Sequence, residues 1–292
     1  MSDVRVPIEC RFCPRLEIGQ DWVNNGYPKI YSNPFHILDN YFIDPLTKTA
    51  LRLGLVIECG AGDGMTAPGI LLGECLDWYY VGVEPNNDLY SELKKYRKKN
   101  QNALVNAALS NINGPAKFNL TANPFRGFLR AGKPQIEEIL ENEPKFPNGE
   151  SFIEMDIFTI TWKELISILR IKTVNLLVLD VEGHEISVIE GMVGATVLPD
   201  VIQIEFGYSD LDNLLLDTAK KENFSGFVKI GRILNDMGYL FDYVADNNAY
   251  FSKESFWDNR PRPISWIKED EELFWYGYCY YRKSQCKPMV KY

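Results

Sequence analysis

Apolar positions along the chain fall into two alternating kinds of run. Short blocks rich in β-branched residues have the length and unbroken apolarity of strands buried on both faces: LGLVIEC (53–59), WYYVGVE (78–84), NALVNAALS (102–110), VNLLVLD (174–180) and DVIQIEFG (200–207). Between them lie stretches with helical character: TAPGILLGECL (66–76), NDLYSELKKYRKKN (87–100), TWKELISILRI (161–171), HEISVIEGM (184–192) and SGFVKIGRILNDMG (225–238). In the last of these, Phe227, Ile230, Leu234 and Met237 form one stripe and Gly238 marks the stop. YLFDYVADNNAYF (239–251) reads as a closing hairpin. Strands alternating with helices predict an α/β fold, a Rossmann-like, mostly parallel sheet with helices on both faces and an antiparallel hairpin at its end. The domain is expected over 53–252. Residues 119–155, dense in Pro, Gly and Asn, read as a loop-rich insertion, 1–52 as an N-terminal cap and 253–292 as an aromatic C-terminal extension.

One stretch carries chemistry. VIECGAGDGMTAPG (56–69) places Gly60, Gly62 and Gly64 directly after the first strand and before a helix that Thr66 can cap. In a parallel sheet, ligands bind beyond the carboxyl ends of the strands, and glycines there admit close approach. The second strand ends in Glu84, a carboxylate placed to accept hydrogen bonds from both hydroxyls of a ribose. A dinucleotide loop needs a third glycine where Met65 stands. Glu58 and Asp63 flank the loop with negative charge, which repels a pyrophosphate and suits a cationic cofactor. The loop therefore points to S-adenosylmethionine, with its sulfonium and ammonium groups.

Composition narrows the field. The formal net charge of −9 argues against a sequence-blind grip on nucleic acid, and KKYRKK (94–99) reads as a solvated helix face. No run has the length of a membrane span and no secretory leader is legible, so a cytoplasmic protein is expected. Cys59 and Cys75 fall in apolar segments and read as buried thiols; Cys10 and Cys13 form a lone CxxC without the second pair that structural zinc requires.

The motifs VIECGAGDG, VGVEPNNDLY, VNAALSNINGPAKF, VNLLVLDVEGHEISVIEGM and VIQIEF, in that order over Leu53 to Phe251, resemble those of the FkbM-type S-adenosylmethionine-dependent methyltransferases. The resemblance implies a class I methyltransferase fold and O-methylation of a sugar, glycan or natural-product hydroxyl. It also implies site residues. Glu58, Cys59, Gly60, Ala61, Gly62, Asp63 and Gly64 would hold the methionine part of the cofactor and Glu84 its ribose. Pro85 and Asn86 would shape the adenine pocket, with Asn106 and Ala107 along the adenine edge. Asp180 would stand where the methyl group meets the acceptor. Trp162 and Lys163 occupy a region where the family often has an Asp, and His184 a position where it often has a small residue.

Methyl transfer to a hydroxyl needs an aligned oxygen and a group to take its proton. Asp180, Glu182 and His184 are the catalytic candidates, ending a buried strand at the functional edge. These acids could also hold Mg²⁺ with Glu205, but no wider ligand pattern accompanies them, and no metal is assigned. Each has a structural reading too: Asp180 as a helix cap, Glu182 and Glu185 as first-turn acids, His184 as a helix-start side chain bonded to backbone. Phe125, Arg126 and Phe128 are candidate acceptor contacts, with part of residues 1–52. The expected partner is a small-molecule or glycan hydroxyl acceptor, and a homo-oligomer is compatible with the aromatic tail. The alternative from another class is a non-catalytic S-adenosylmethionine or nucleotide-binding module; a nicotinamide oxidoreductase ranks third because of Met65.

Overall fold

The computed structural model describes residues 37–42, 54–66, 69, 72–73, 76, 78–99, 102–125, 127–129, 145–205, 221–245 and 248–258. Eleven strands are found among them. In chain order they are β1 (Leu55–Cys59), β2 (Tyr79–Val83), β3 (Ala103–Val105), β4 (Ala108–Ser110), β5 (Gly114–Thr121), β6 (Gly127–Leu129), β7 (Phe152–Thr161), β8 (Val174–Leu179), β9 (Pro199–Glu205), β10 (Tyr239–Ala245) and β11 (Asn248–Lys253). The helices are α1 (Asn87–Tyr96), α2 (Trp162–Ile168), α3 (Glu185–Met192) and α4 (Lys221–Asp236), with short helical segments at Leu38–Phe42 and Glu254–Trp257. Gly69, Leu72 and Gly73 are helical, in keeping with the helix expected over 66–76, the rest of which lies partly outside the described residues. None of the described helices is long and apolar enough to cross a membrane.

Each of the five apolar blocks contributes a strand to the main sheet. The main sheet runs β10-β11-β9-β8-β1-β2-β3, parallel from β3 to β9 and closed by the antiparallel β10–β11 hairpin. Alternation along each strand divides its side chains between two cores. Ile57 and Cys59 of β1, with Leu177 and Leu179 of β8, face Trp162, Leu165, Val188, Met192 and Leu234 from α2, α3 and α4. Val56, Leu176 and Val178 face the other way, onto Leu72, Leu76 and Leu93 and onto Tyr41 and Phe42. A sheet covered on both faces explains why its strands read as continuous apolar runs.

Two expectations are corrected. The run 102–110 is not one strand. It breaks at exposed Asn106, whose Nδ2 donates to the Glu84 carbonyl (2.9 Å), so β3 stays in the main sheet and β4 leaves it. The stretch 119–155 is not loop throughout: among its described residues, 119–121, 127–129 and 152–155 belong to a second, four-stranded sheet, β4-β7-β5-β6. The period-2 pattern was present. Ala116, Phe118 and Leu120 pair with Ile157, Met155 and Ile153 on one face, while Lys117 on the other bridges Asp156 at 2.7 Å and Glu154 at 3.4 Å. Polar residues between the apolar ones masked the strand in a reading tuned to fully apolar blocks.

Segments on both sides of the expected 53–252 domain pack into its core. The Tyr41 hydroxyl donates to Asp242 (2.8 Å), both fully buried, and Asn40 donates to the Tyr243 hydroxyl (3.0 Å). Tyr243 stacks on Tyr250 with ring centroids 4.5 Å apart, Phe42 meets Trp78 edge-on at 4.9 Å, and Phe256 and Trp257 close around Tyr41. His36, the cysteines at 10, 13, 75, 279 and 286, and residues 259–292 lie outside the described residues.

If 37–42 is an integral part of this core, Tyr41→Ala destabilises the whole domain by about 3–5 kcal/mol, the range for deleting a buried aromatic ring. Urea denaturation followed by tryptophan fluorescence checks this. A detachable cap would leave the main transition unmoved.

Candidate functional site

The carboxyl ends of β1, β2 and β8 meet at the glycine loop. Gly60 and Ala61 both donate to the Val83 carbonyl (3.0 and 3.2 Å), and Asp180 N donates to the Cys59 carbonyl (3.1 Å). Gly60, Gly62 and Gly64 all have left-handed backbones, with φ of 79°, 55° and 83°. Their reasons differ. A Cβ at Gly60 would lie 1.7 Å from the Asp180 carbonyl oxygen, and one at Gly64 would lie 2.7 Å from Leu93 Cδ1, so protein itself excludes side chains at both. At Gly62 a Cβ would meet no described atom closer than the Phe125 ring, at 3.5 Å, an ordinary van der Waals contact. Of the three glycines, Gly62 is therefore the least enclosed by described residues.

Glu84 anchors this loop. It is buried, and its carboxylate accepts from Gly62 N (2.9 Å) through one oxygen and from Asn86 N (2.7 Å) through the other. Burial pushes its pKa up from 4.5 to about 7, against the lowering effect of those two backbone donors. Each oxygen has a second lone pair, so two further donors can be accepted. Asn86 also caps α1 by accepting from Asp88 N (3.0 Å), and its Nδ2 donates to the Pro124 carbonyl (3.1 Å). Asp63 accepts from Met65 N (2.9 Å), which folds the loop into the following helix.

Glu58 lies elsewhere than the charge argument placed it. It is buried below the loop and accepts from the Tyr80 hydroxyl (2.7 Å) and Thr66 Oγ1 (2.8 Å). Burial raises its pKa, and the Tyr80 hydrogen bond, nearby Arg97 and the Thr66 hydrogen bond oppose that rise. Arg97 is stacked 4.7 Å over the Tyr80 ring. Glu58 is thus a brace between β1, β2 and the helix start. The Cys59 and Ala107 side chains lie in the core; burial and then Glu58 push the Cys59 thiol up, which makes it inert.

The D-x-E-G-x-E signature is a turn. Glu182 and Gly183 are left-handed, with φ of 49° and 92°, and Glu185 accepts from Val181 N (3.3 Å) and Gly183 N (3.2 Å) to hold them there. Glu185 is pushed up to about 6 by burial, opposed by backbone hydrogen bonds. Its role in forming the turn was missed in the sequence, where it read as a helix-dipole acid. The turn carries Asp180 at the end of β8, beside Glu205 at the end of β9. The surrounding protein, and then the hydrogen bond and charge of Glu205, hold the Asp180 carboxyl well above its usual range. Solvent reaches Asp180, which limits the size of this shift and not its direction. His184 points away from this pair: it is buried, its Nε2 lies 3.0 Å from Ser110 Oγ on β4, and burial lowers its pKa. Its bond is to a side chain of the second sheet, not to backbone. Phe128 is buried in the second sheet, edge-on to Phe152, so its ring is not presented to an acceptor, and Arg126 lies outside the described residues. Among the described residues, no group of three or more His, Cys, Asp and Glu is gathered to hold a metal ion.

The sequence model of the FkbM methyltransferase domain matches residues 58–241. No curated protein matches this chain. Among solved structures, a candidate S-adenosyl-L-methionine-dependent methyltransferase from Methanococcus maripaludis is similar at 12% identity and a TM-score of 0.30, over 73% of this chain and 81% of that one. That likeness is too low to bear on fold or function.

The unequal roles of the glycines give a test of stability. Gly60→Ala is expected to cost at least about 3 kcal/mol, from overpacking against β8 together with left-handed strain, while Gly62→Ala carries only the strain, about 1–2 kcal/mol. Chemical denaturation of both variants would show the difference. Glu84 gives a second. A carboxyl whose pKa is raised on folding contributes stability that is complete below its unfolded value, near 4.5, and is lost as pH rises through about 7. Wild type should lose more thermal stability between pH 5 and pH 8 than Glu84→Gln does, as read by calorimetry.

Proposed function

Because the chain belongs to the FkbM methyltransferase family, we propose that it transfers a methyl group from S-adenosylmethionine to a hydroxyl of a sugar, glycan or natural product. The observation that carries this reading is the Glu84 carboxylate. It is fixed by two backbone N–H groups, retains a lone pair on each oxygen, and binds the loop glycine least enclosed by described residues. That pair of acceptor oxygens fits two vicinal ribose hydroxyls, which would donate to it as the third and fourth partners.

Bound S-adenosylmethionine supplies an electrophilic methyl group on a sulfonium. The chain's own part is to hold the cofactor and to manage a proton. Gly62 and Glu84 hold the ribose, and Asn86 and Asn106 keep the end of β2 in shape. Asp180 takes the acceptor hydroxyl's proton. A carboxylate beside the second carboxyl of Glu205 is a stronger base than an isolated one, because the pair gains by sharing a proton. His184, bonded to Ser110, ties the start of α3 to the second sheet and so positions the turn that carries Asp180.

Isothermal titration with S-adenosylhomocysteine and NAD tests the cofactor class. The expected result is binding of the first and not of the second. Gly62→Val is expected to abolish that binding, and Glu84→Ala to weaken it by about 1.5–3 kcal/mol, roughly ten- to a hundredfold. Asp180→Asn should bind like wild type and lose methyl transfer to a panel of hydroxyl acceptors by about a hundredfold or more. Unchanged affinity in both loop variants would exclude this cofactor site.

A further inference from the structure

We propose that Phe125 forms the outer wall of the cofactor site, with its ring against the ribose side of the bound adenosine. The inference rests on the cofactor reading above and assigns to the cofactor a residue that the sequence placed among the acceptor contacts.

Three observations carry it. Phe125 Cδ1 and Cε1, at 3.5 and 3.6 Å, are the only described atoms within 4 Å of the point where a side chain at Gly62 would begin. The ring therefore stands beside the residue whose N–H binds Glu84. The turn that carries it is also docked onto the other residue holding that carboxylate, since Asn86 Nδ2 donates to the Pro124 carbonyl at 3.1 Å while Asn86 N donates to Glu84 at 2.7 Å. Of the two residues that bind the Glu84 carboxylate, Asn86 is thus bonded to Pro124, and Gly62 has the Phe125 ring beside its Cβ position. Finally, the turn is folded from within: Thr121 Oγ1 donates to the Asn123 carbonyl (3.0 Å) and Phe125 N donates to Asn123 Oδ1 (3.2 Å). The backbone is held, yet the ring is 56% exposed.

An aromatic ring fixed by its own backbone and left open beside a ligand loop is suited to a flat, partly apolar partner. The C–H face of a ribose with its attached purine is such a partner, and Glu84 on the opposite side takes the hydroxyls. The second sheet then supplies one wall of the cofactor site through the turn after β5. Cofactor binding would order that turn further.

Titration of the full chain with S-adenosylhomocysteine and with 5′-methylthioadenosine, which lacks the amino-acid part, tests the assignment. Phe125→Ala is expected to weaken both by roughly tenfold, and Phe125→Tyr to restore most of the loss. In wild type, hydrogen–deuterium exchange should show residues 121–125 gaining protection when S-adenosylhomocysteine is added, a readout that does not depend on the variant folding. A loss for S-adenosylhomocysteine alone would overturn the ribose placement. Wild-type affinity in Phe125→Ala, or no protection of the turn, would overturn the inference while leaving the cofactor reading intact. A wild type that binds neither ligand would overturn both.

Discussion

Everything at the carboxyl edge of the main sheet depends on how closely β1 and β8 approach. The Asp180 carbonyl sits where a Gly60 side chain would begin, and Asp180 N is bonded to the Cys59 carbonyl. No other residue type fits at 60 without parting the two strands. That contact sets the distance between the glycine loop, which presents Gly62 and Glu84, and the strand end, which presents Asp180. A methyl transfer depends on that distance, because donor and acceptor must be held in line. The glycine that looks most like a ligand-binding residue is in effect a spacer.

The carboxylates around the loop differ in depth. Glu58 is buried and accepts from Tyr80 and Thr66 through one oxygen; Glu84 is buried and accepts one backbone N–H on each oxygen; Asp180 is reached by solvent and faces another carboxyl. The three sit at the ends of adjacent strands and differ in what surrounds them. Burial raises the pKa values of Glu58 and Glu84 and the hydrogen bonds each receives oppose that rise, whereas the hydrogen bond and charge of Glu205 push Asp180 further up.

The main sheet was legible because strands covered on both faces are apolar at nearly every position, a pattern that stands out in Val174–Leu179 and Leu55–Cys59 despite Asn175 and Glu58. The glycine loop and Glu84 were legible for a similar reason: few residues satisfy their local geometry. The second sheet was not, because its strands mix Lys117, Glu154 and Asp156 with apolar neighbours. Nothing local marks Asn106 as the point where the chain changes sheets; its side chain matters only once Glu84 is in place to accept from it. The direction of Glu58 was also hidden, since charge pattern does not say which face of a strand end is buried. The contribution of His184 required knowing that Ser110 lies across from it, 74 residues away in sequence.

The aromatic cluster around Tyr41 has a consequence for how the protein is made. Its hydroxyl reaches Asp242, 201 residues further along the chain, and its ring meets Tyr243, Tyr250, Phe256 and Trp257. During synthesis from the N-terminus, the Leu38–Phe42 segment emerges long before any of these partners exists. One face of β1, β2 and β8 therefore stays uncovered by its aromatic partners until nearly the whole domain has left the ribosome, an interval on the order of ten seconds or more at ~5–20 residues per second. Over that interval Tyr41 lacks Asp242 and the rings of Tyr243, Tyr250, Phe256 and Trp257, while Phe42 and Trp78 have each other.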